Sequence, residues 1–356
     1  MASLEGSTWL EKLEDSTLVP LTFVYIVDVD VDWMDPEYVK NMPIKPHDQT
    51  SNQLWVNIEL HRASNAQLLH QTARDLKDKG WLAVYTRVAV LMCKKTTVDH
   101  ARLYDEEFAR AGIGRDRYCI KIPATGPALD AAKILSQEGI VTLETALFGL
   151  LQAIACSQAG CLYISPYYNE NQAHTDLTLW PDVQDPANEH PNSPRMMRII
   201  ETYKRLYKET GKEQPFVKLA SFLSAKEAMA AGEMGCHSAT LSHTVLDQLT
   251  KLKYNAQEQP GEGVPKPAHP YKNPGPTPAR LVELSKTDPL TANWDGKLAS
   301  TEIDYLADGG AELEKAIKSD PITAHRLAYA LKLCIGDDEN GETSSRRKCE
   351  EALAQV

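Results

Sequence analysis

The chain has 356 residues, 42% of them hydrophobic, which suffices for one large core or two ordinary ones. A formal net charge of −11 and a pI near 5.4 argue against nucleic acid or an anionic membrane as partner, since each would be repelled. Seven cysteines are spread singly with no C-x-x-C pair, Cys156 and Cys161 being the closest two, so neither a disulfide framework nor a zinc site is expected.

The start, Met1-Ala2-Ser3-Leu4-Glu5, lacks a basic region followed by an apolar one, so no secretory signal is expected. The longest apolar stretch, around 146–156, is too short to span a bilayer. A cytosolic setting follows as the expectation.

In chain order, Thr8-Trp9-Leu10-Glu11 fits a capping box that opens an N-terminal helix. Short β-type runs then alternate with longer helical patterns. Strands are expected over 21–31, 49–52, 82–92, 118–122, 141–145, 161–165, 216–220 and 238–241. Eight strands with helices between them suggest a single α/β domain over 1–356, a (β/α)₈ barrel, although periodicity alone leaves a doubly wound sheet open. The polar, proline-rich segment 181–194 reads as a surface loop. The stretch 259–278 is a Pro-rich loop expected to wrap the barrel rather than divide two domains. From 321 to 356 a C-terminal helical extension is expected, with Asp337-Asp338-Glu339-Asn340-Gly341 as a turn.

One residue in this series stands out. Lys121 lies in Tyr118-Cys119-Ile120-Lys121-Ile122-Pro123-Ala124-Thr125, an apolar run that reads as a buried strand. A charge there is expensive, and desolvation favours the neutral amine, which can attack a carbonyl and form a Schiff base. The competing reading is a lysine snorkelling from a strand end.

The residues that follow resemble the transaldolase family. Ile120 to Thr125 is similar to the strand holding that family's Schiff-base lysine, and 131–140 (AAKILSQEGI) to its next helix. Thr145-Ala146-Leu147-Phe148, Gln152-Ala153, Ala159-Gly160 and Ile164-Ser165-Pro166-Tyr167 continue the match without a gap from Ala111 to Ser165. Tyr167 stands for the family's phenylalanine. Weaker similarity extends over roughly 8–318, including Gln49-Thr50-Ser51-Asn52, Ala220-Ser221-Phe222 and Gly235-Cys236.

The resemblance implies a (β/α)₈ barrel with an N-terminal helix, and it carries several roles with it. Lys121 is implied as the nucleophile, Thr145 as the residue orienting a catalytic water, and Ser165 as a pocket wall. In Asp28-Val29-Asp30-Val31-Asp32-Trp33-Met34-Asp35 the family's D-x-x-D spacing fits Asp32 and Asp35, so Asp32 is implied as the carboxylate handling substrate hydroxyl protons. Alternation puts Asp28, Asp30 and Asp32 on one face, where three carboxylates would repel. Asn52 matches an asparagine near the substrate. His243, just after the last strand, is a candidate proton shuttle at the catalytic end. His100 reads as a surface residue. No cofactor and no metal are expected, and the partner is a small carbonyl compound, with a homodimer left open.

Departures from the pattern are equally informative. The family's third-strand glutamate falls at Arg87, and the asparagine two residues before Thr145 is Leu143. The two arginines that grip a sugar phosphate correspond to Glu170 and Leu223. A glutamate beside a phosphate dianion repels it, so a non-phosphorylated carbonyl substrate is expected, with Glu170 free to pair a cation. The leading reading is a divergent Schiff-base enzyme for aldol cleavage, addition or related carbon–carbon chemistry. The alternatives are a true transaldolase with Arg87, Lys94 or Lys95 replacing the lost arginines, and a catalytically silent binding barrel.

Overall fold

The structure, a computed structural model, describes residues 8–14, 28–33, 35–51, 61–65, 67, 94–253, 269–272, 274–335, 351 and 354–355. The strand expected over 82–92, Arg87, Asn52, and most of the Pro-rich loop and of the chain after 335 lie outside them.

The N-terminal helix α1 (Trp9–Glu14) opens on the expected capping box. The Thr8 N–H donates to Glu11 Oε2 at 2.7 Å, and the Glu11 N–H donates back to Thr8 Oγ1 at 3.2 Å. Strand β1 (Asp28–Val31), helix α2 (Pro36–Lys40) and the two-residue β2 (Asp48–Gln49) follow. Helix α3 (Lys94–Arg110) then leads to β3 (Ile120–Pro123), α4 (Gly126–Gln137), β4 (Thr142–Leu147), α5 (Leu150–Ala159) and β5 (Tyr163–Pro166). After the short α6 (Pro186–Glu189) come α7 (Ser193–Thr210), β6 (Phe216–Leu219), α8 (Ala225–Met234), β7 (Ser238–Leu241) and α9 (His243–Lys251). Helices α10 (Ala307–Ser319) and α11 (Pro321–Ile335) follow toward the C-terminus.

All described strand pairs are parallel, and the sheet runs β2-β1-β7-β6-β5-β4-β3. The first strand therefore pairs with the last, as a sheet curling into a barrel requires and an open doubly wound sheet does not. With helices between the strands, this is the architecture of a (β/α)₈ barrel. Among the described residues no helix is long and apolar enough to cross a membrane.

Register decides which side chains face inward. Lys121 pairs with Leu143, Leu143 with Tyr163, Tyr163 with Phe216, Lys218 with Ser238, and Ser238 with Asp28. Because side chains alternate, these residues and those two positions on share the interior face. The opposite row, Ile122, Ile164, Val217 and Ala239, is fully buried under the helices. Helix α5 is mostly apolar and buried over most of its length because α4, α7 and α10 enclose it against β4.

The C-terminal helices close on the barrel end where β4 finishes. Arg195 of α7, 4% exposed, donates to the Phe148 carbonyl at 3.2 Å, pairs with Asp288 at 3.1 Å and Asp320 at 3.0 Å, and donates to Thr323. That network fastens the start of α11 over the turn after β4. Helix α10 crosses α4 at Gly126 and Gly310, where a Cβ on Gly310 would lie 2.1 Å from the Gly126 carbonyl oxygen. Gly310 also has φ 89°, so both space and backbone require glycine.

Candidate active site

Lys121 points from β3 into the interior, where its amine donates to Thr50 Oγ1 at 3.0 Å. Thr50 follows β2, so the contact crosses the barrel. Among the described residues no carboxylate pairs with this amine, and its neighbour in register is the apolar, buried Leu143.

A second interior lysine behaves differently. Lys218 on β6, 1% exposed, is clamped by Asp30 at 2.9 Å and Asp48 at 3.2 Å and lies 4.5 Å from the centre of the Tyr163 ring. These carboxylates, with the phenol beside them, hold the Lys218 pKa above the usual lysine value despite the opposing effect of burial. His47 adds a further contact, its Nδ1 3.5 Å from Asp30, and that bond raises the imidazole pKa. The expectation of three mutually repelling carboxylates at one mouth is thereby corrected. Asp28 and Asp30 belong with His47 and Lys218 to an ion cluster lower in the barrel, and Asp32 stands apart at the C-terminal end of β1.

Asp32 has one buried carboxylate oxygen without a hydrogen-bond partner among the described residues. Its charge acts against the packing around the His174 ring, which holds that imidazole's pKa below its ordinary value; His174 Nε2 is 2.8 Å from Ser221 Oγ. Ser221 follows β6 in a left-handed conformation, φ 67°, which costs a non-glycine residue about 1–3 kcal/mol unless the surroundings fix it. Here they do. The Asn169 backbone and side-chain N–H groups both donate to the Ser221 carbonyl, and Ser221 Oγ donates to the Asn169 carbonyl at 2.9 Å.

Thr145 sits near the end of β4, two residues beyond Leu143 on the interior face. Its hydroxyl donates to Tyr167 Oη at 3.0 Å. Tyr167 is the residue that replaces the phenylalanine of the resembled motif, so that departure supplies a second hydroxyl beside Thr145. The next residue, Ala146, has φ 54°. Buried Gln152 secures this turn by donating to the Ala124 and Ala146 carbonyls, at 2.9 and 3.1 Å, and accepting from the Phe148 N–H at 2.8 Å.

Ser165 lies on the interior face of β5 with its buried hydroxyl unpartnered among the described residues. His243 opens α9, its ring 4.0 Å from that of Trp33, with Nδ1 buried and unpartnered among the described residues. The Arg62 guanidinium covers Trp33 at 5.1 Å. Glu170 begins the turn after β5 and pairs with Arg326 of α11 at 3.5 Å. The free acidic group expected there is instead answered by an arginine that sequence comparison did not reach. Lys95 is tied to Asp99 one turn along α3, on the outer layer.

Lys121, Thr145 and Ser165 thus occupy one interior face on three adjacent strands, and Asp32, Glu170 and His243 rim the same end. Sequence reasoning missed Thr50, Tyr167 as a donor–acceptor partner, His174, Lys218 and Arg326. Lys218 was detectable by the logic applied to Lys121, a single charge in an apolar run, Phe216-Val217-Lys218-Leu219.

Comparison with known proteins agrees with this architecture. Residues 66–272 match the family model described as transaldolase/fructose-6-phosphate aldolase. A transaldolase from Synechocystis sp. is 30% identical over 244 residues, covering 68% of this chain and 56% of that protein. Transaldolases from Prochlorococcus marinus and Thermosynechococcus vestitus are 30% identical over 177 residues and 35% identical over 155, covering 49% and 37% of their own lengths. The chain therefore spans about half the length of these relatives. With the model covering more than half of the 356 residues and a lysine inside a parallel barrel, the chain belongs to the transaldolase/fructose-6-phosphate aldolase family.

Proposed function

We propose that the protein is a divergent Schiff-base enzyme making or breaking carbon–carbon bonds on a non-phosphorylated carbonyl compound. The observation that carries this reading is the contrast between two interior lysines. Lys218 is held as an ammonium by two carboxylates, whereas Lys121, among the described residues, meets a hydroxyl and an apolar neighbour and no carboxylate.

In this mechanism the Lys121 amine, having given up its proton, adds to the substrate carbonyl carbon, and the resulting carbinolamine takes up a proton and loses its oxygen as water to give the protonated imine. The Thr145–Tyr167 hydroxyl pair moves the protons that this dehydration requires and orients the water that later hydrolyses the imine. Asp32, one of whose oxygens has no hydrogen-bond partner among the described residues, takes the proton of the substrate β-hydroxyl as the carbon–carbon bond breaks. The bonding electrons then flow into the imine, leaving an enamine that is protonated or adds to a second carbonyl.

A second reading, transaldolase action on sugar phosphates, is favoured by two cations at the same barrel end, Arg326 and Arg62. It would also align the chain with relatives named transaldolase. Borohydride trapping with a panel of carbonyl compounds, read by intact mass and peptide mapping, separates the readings. Adducts on Lys121 from neutral compounds are the expected result. Adducts from sugar phosphates alone would favour the second reading, and no adduct from any compound would mark a silent barrel.

A further inference from the structure

The register that turns Thr145 inward turns Glu144 outward, into the layer between sheet and helices. Glu144 pairs with Ile122 on one side and Ile164 on the other, and all three are fully buried. A carboxyl group in such a row is costly unless something pairs with it. Among the described residues neither oxygen of Glu144 has a partner at full hydrogen-bond geometry, although the Cys161 thiol and the Thr142 hydroxyl lie close enough to interact with the carboxyl group.

Two thiols face it. Helix α5 carries Cys156 on its sheet-facing side and ends at Gly160, φ 76°, in a turn whose Cys161 N–H donates to the Cys156 carbonyl at 3.2 Å. Closure of this kind brings the residue after the glycine back onto the last helical turn, where an apolar contact is usual. Here the contact is between two unoxidised cysteines, both buried. Their sulfurs and a Glu144 oxygen all lie within 4.8 Å of one another. Thr142, two residues before Glu144 on the same face, brings its buried hydroxyl close to the Glu144 carboxyl group.

We propose that Glu144, Cys156 and Cys161 are the protein ligands of a buried structural site for a zinc-type divalent cation. Two sulfurs with one carboxylate oxygen is a donor set suited to a borderline-soft metal and unsuited to calcium or magnesium, which prefer oxygen alone. Metal–sulfur bonds of about 2.3 Å place tetrahedral sulfurs nearly 4 Å apart, so small side-chain adjustments bring three donors within 4.8 Å onto one ion. The fourth position falls to the Thr142 hydroxyl or a water. The sequence gives no hint of it, because the ligands come from a strand, a helix and the turn after that helix rather than from a C-x-x-C pair. Its place in the fold gives it a consequence, since it would pin the end of α5 to β4 one residue before Thr145.

The test uses the full chain, incubated with zinc chloride, gel-filtered and analysed for metal by mass spectrometry. About one zinc per chain is expected, falling roughly tenfold or more in Glu144→Leu and in Cys156→Ala/Cys161→Val. Both variants keep the layer apolar, and circular dichroism would verify their fold. Cobalt in place of zinc should give a sulfur-to-metal charge-transfer band in the parent that the cysteine double variant lacks. Should the variants not fold, maleimide labelling of the parent decides: zinc should protect Cys156 and Cys161 reversibly by chelator while leaving the labelling of Cys236 unchanged. Zinc well below one per chain in the parent, zinc undiminished in folded variants, or cysteine labelling indifferent to zinc would each overturn the site.

Discussion

At the scale of single residues, the two interior lysines make opposite predictions. Lys121→Met removes the proposed nucleophile while deleting, among the described residues, one hydrogen bond, that to Thr50. Carbonyl-dependent turnover should fall on the order of 10³-fold or more, with borohydride trapping abolished and the unfolding midpoint nearly unchanged. A Lys121→Met protein that turns over normally would end the Schiff-base reading. Lys218→Met should do the reverse. Among the described residues it leaves the fully buried Asp30 with His47 as its remaining ion-pair partner, and loss of one partner of a buried pair typically costs about 3–5 kcal/mol. A urea titration should show that loss, and adding Asp30→Asn should recover part of it. Equal stability of Lys218→Met and parent would mean that the cluster contributes nothing net. Lys121 was legible in the sequence because one charge interrupts an apolar run. Lys218 and Glu144 interrupt apolar runs in the same way, but only strand register shows that one faces a carboxylate and the other faces thiols.

At the scale of elements, the segment after β5 depends on a histidine held neutral. His190, 2% exposed, contacts Asn169 Oδ1 through Nε2 at 3.1 Å, accepts from the Asn192 N–H through Nδ1 at 3.1 Å, and stacks on Tyr168. That arrangement uses one nitrogen as donor and the other as acceptor, which an imidazolium cannot satisfy. Burial, with a smaller contribution from Arg326, pushes its pKa down to about 3. The folded pKa lies below the unfolded one, so the contribution to stability is complete above pH 6.5 and is lost as pH falls toward 3. The expected slope is about 1.4 kcal/mol per pH unit within that window. Denaturant midpoints measured across it should show this slope in the parent and a flatter profile in His190→Asn, which is less stable at neutral pH. Parallel profiles would show that His190 titrates alike in both states. The same polar network steers Asn169 onto Ser221, so its acid loosening should be felt at the catalytic end. Strands β3 to β7 and the α1 capping box were readable from alternation and spacing. The docking of α11 was not, because it depends on Arg195 meeting Asp288 and Asp320, contacts across more than ninety residues that no local pattern encodes.

At the scale of the whole molecule, a chain of net charge −11 brings Arg326 to the barrel end that holds Asp32 and Glu170, and its pairing should govern which substrates the protein accepts. Arg326 reaches that end from α11 and meets Glu170, the residue standing where the family pattern has an arginine. Its side chain is only 11% exposed and its guanidinium remains charged, so a partner is needed; Glu170 fills that need and leaves little attraction for an incoming phosphate. The parent should therefore bind fructose 6-phosphate weakly and turn it over negligibly. Glu170→Gln keeps the shape and removes the competing charge. Affinity for fructose 6-phosphate, measured calorimetrically at low salt, should then rise by about tenfold, the effect of one charge-assisted hydrogen bond offset by desolvation. Adding Arg326→Leu should return it to the parent value. Leu223→Arg in the Glu170→Gln background should tighten it further, because the turns carrying positions 170 and 223 are joined through Asn169 and Ser221. Turnover need not follow affinity, since the resemblance sets Arg87, which lies outside the described residues, against the family's third-strand glutamate. Tight binding and efficient turnover of fructose 6-phosphate by the unmodified protein would show that the Glu170–Arg326 pair opens to admit phosphate. The true transaldolase reading would then replace the one proposed.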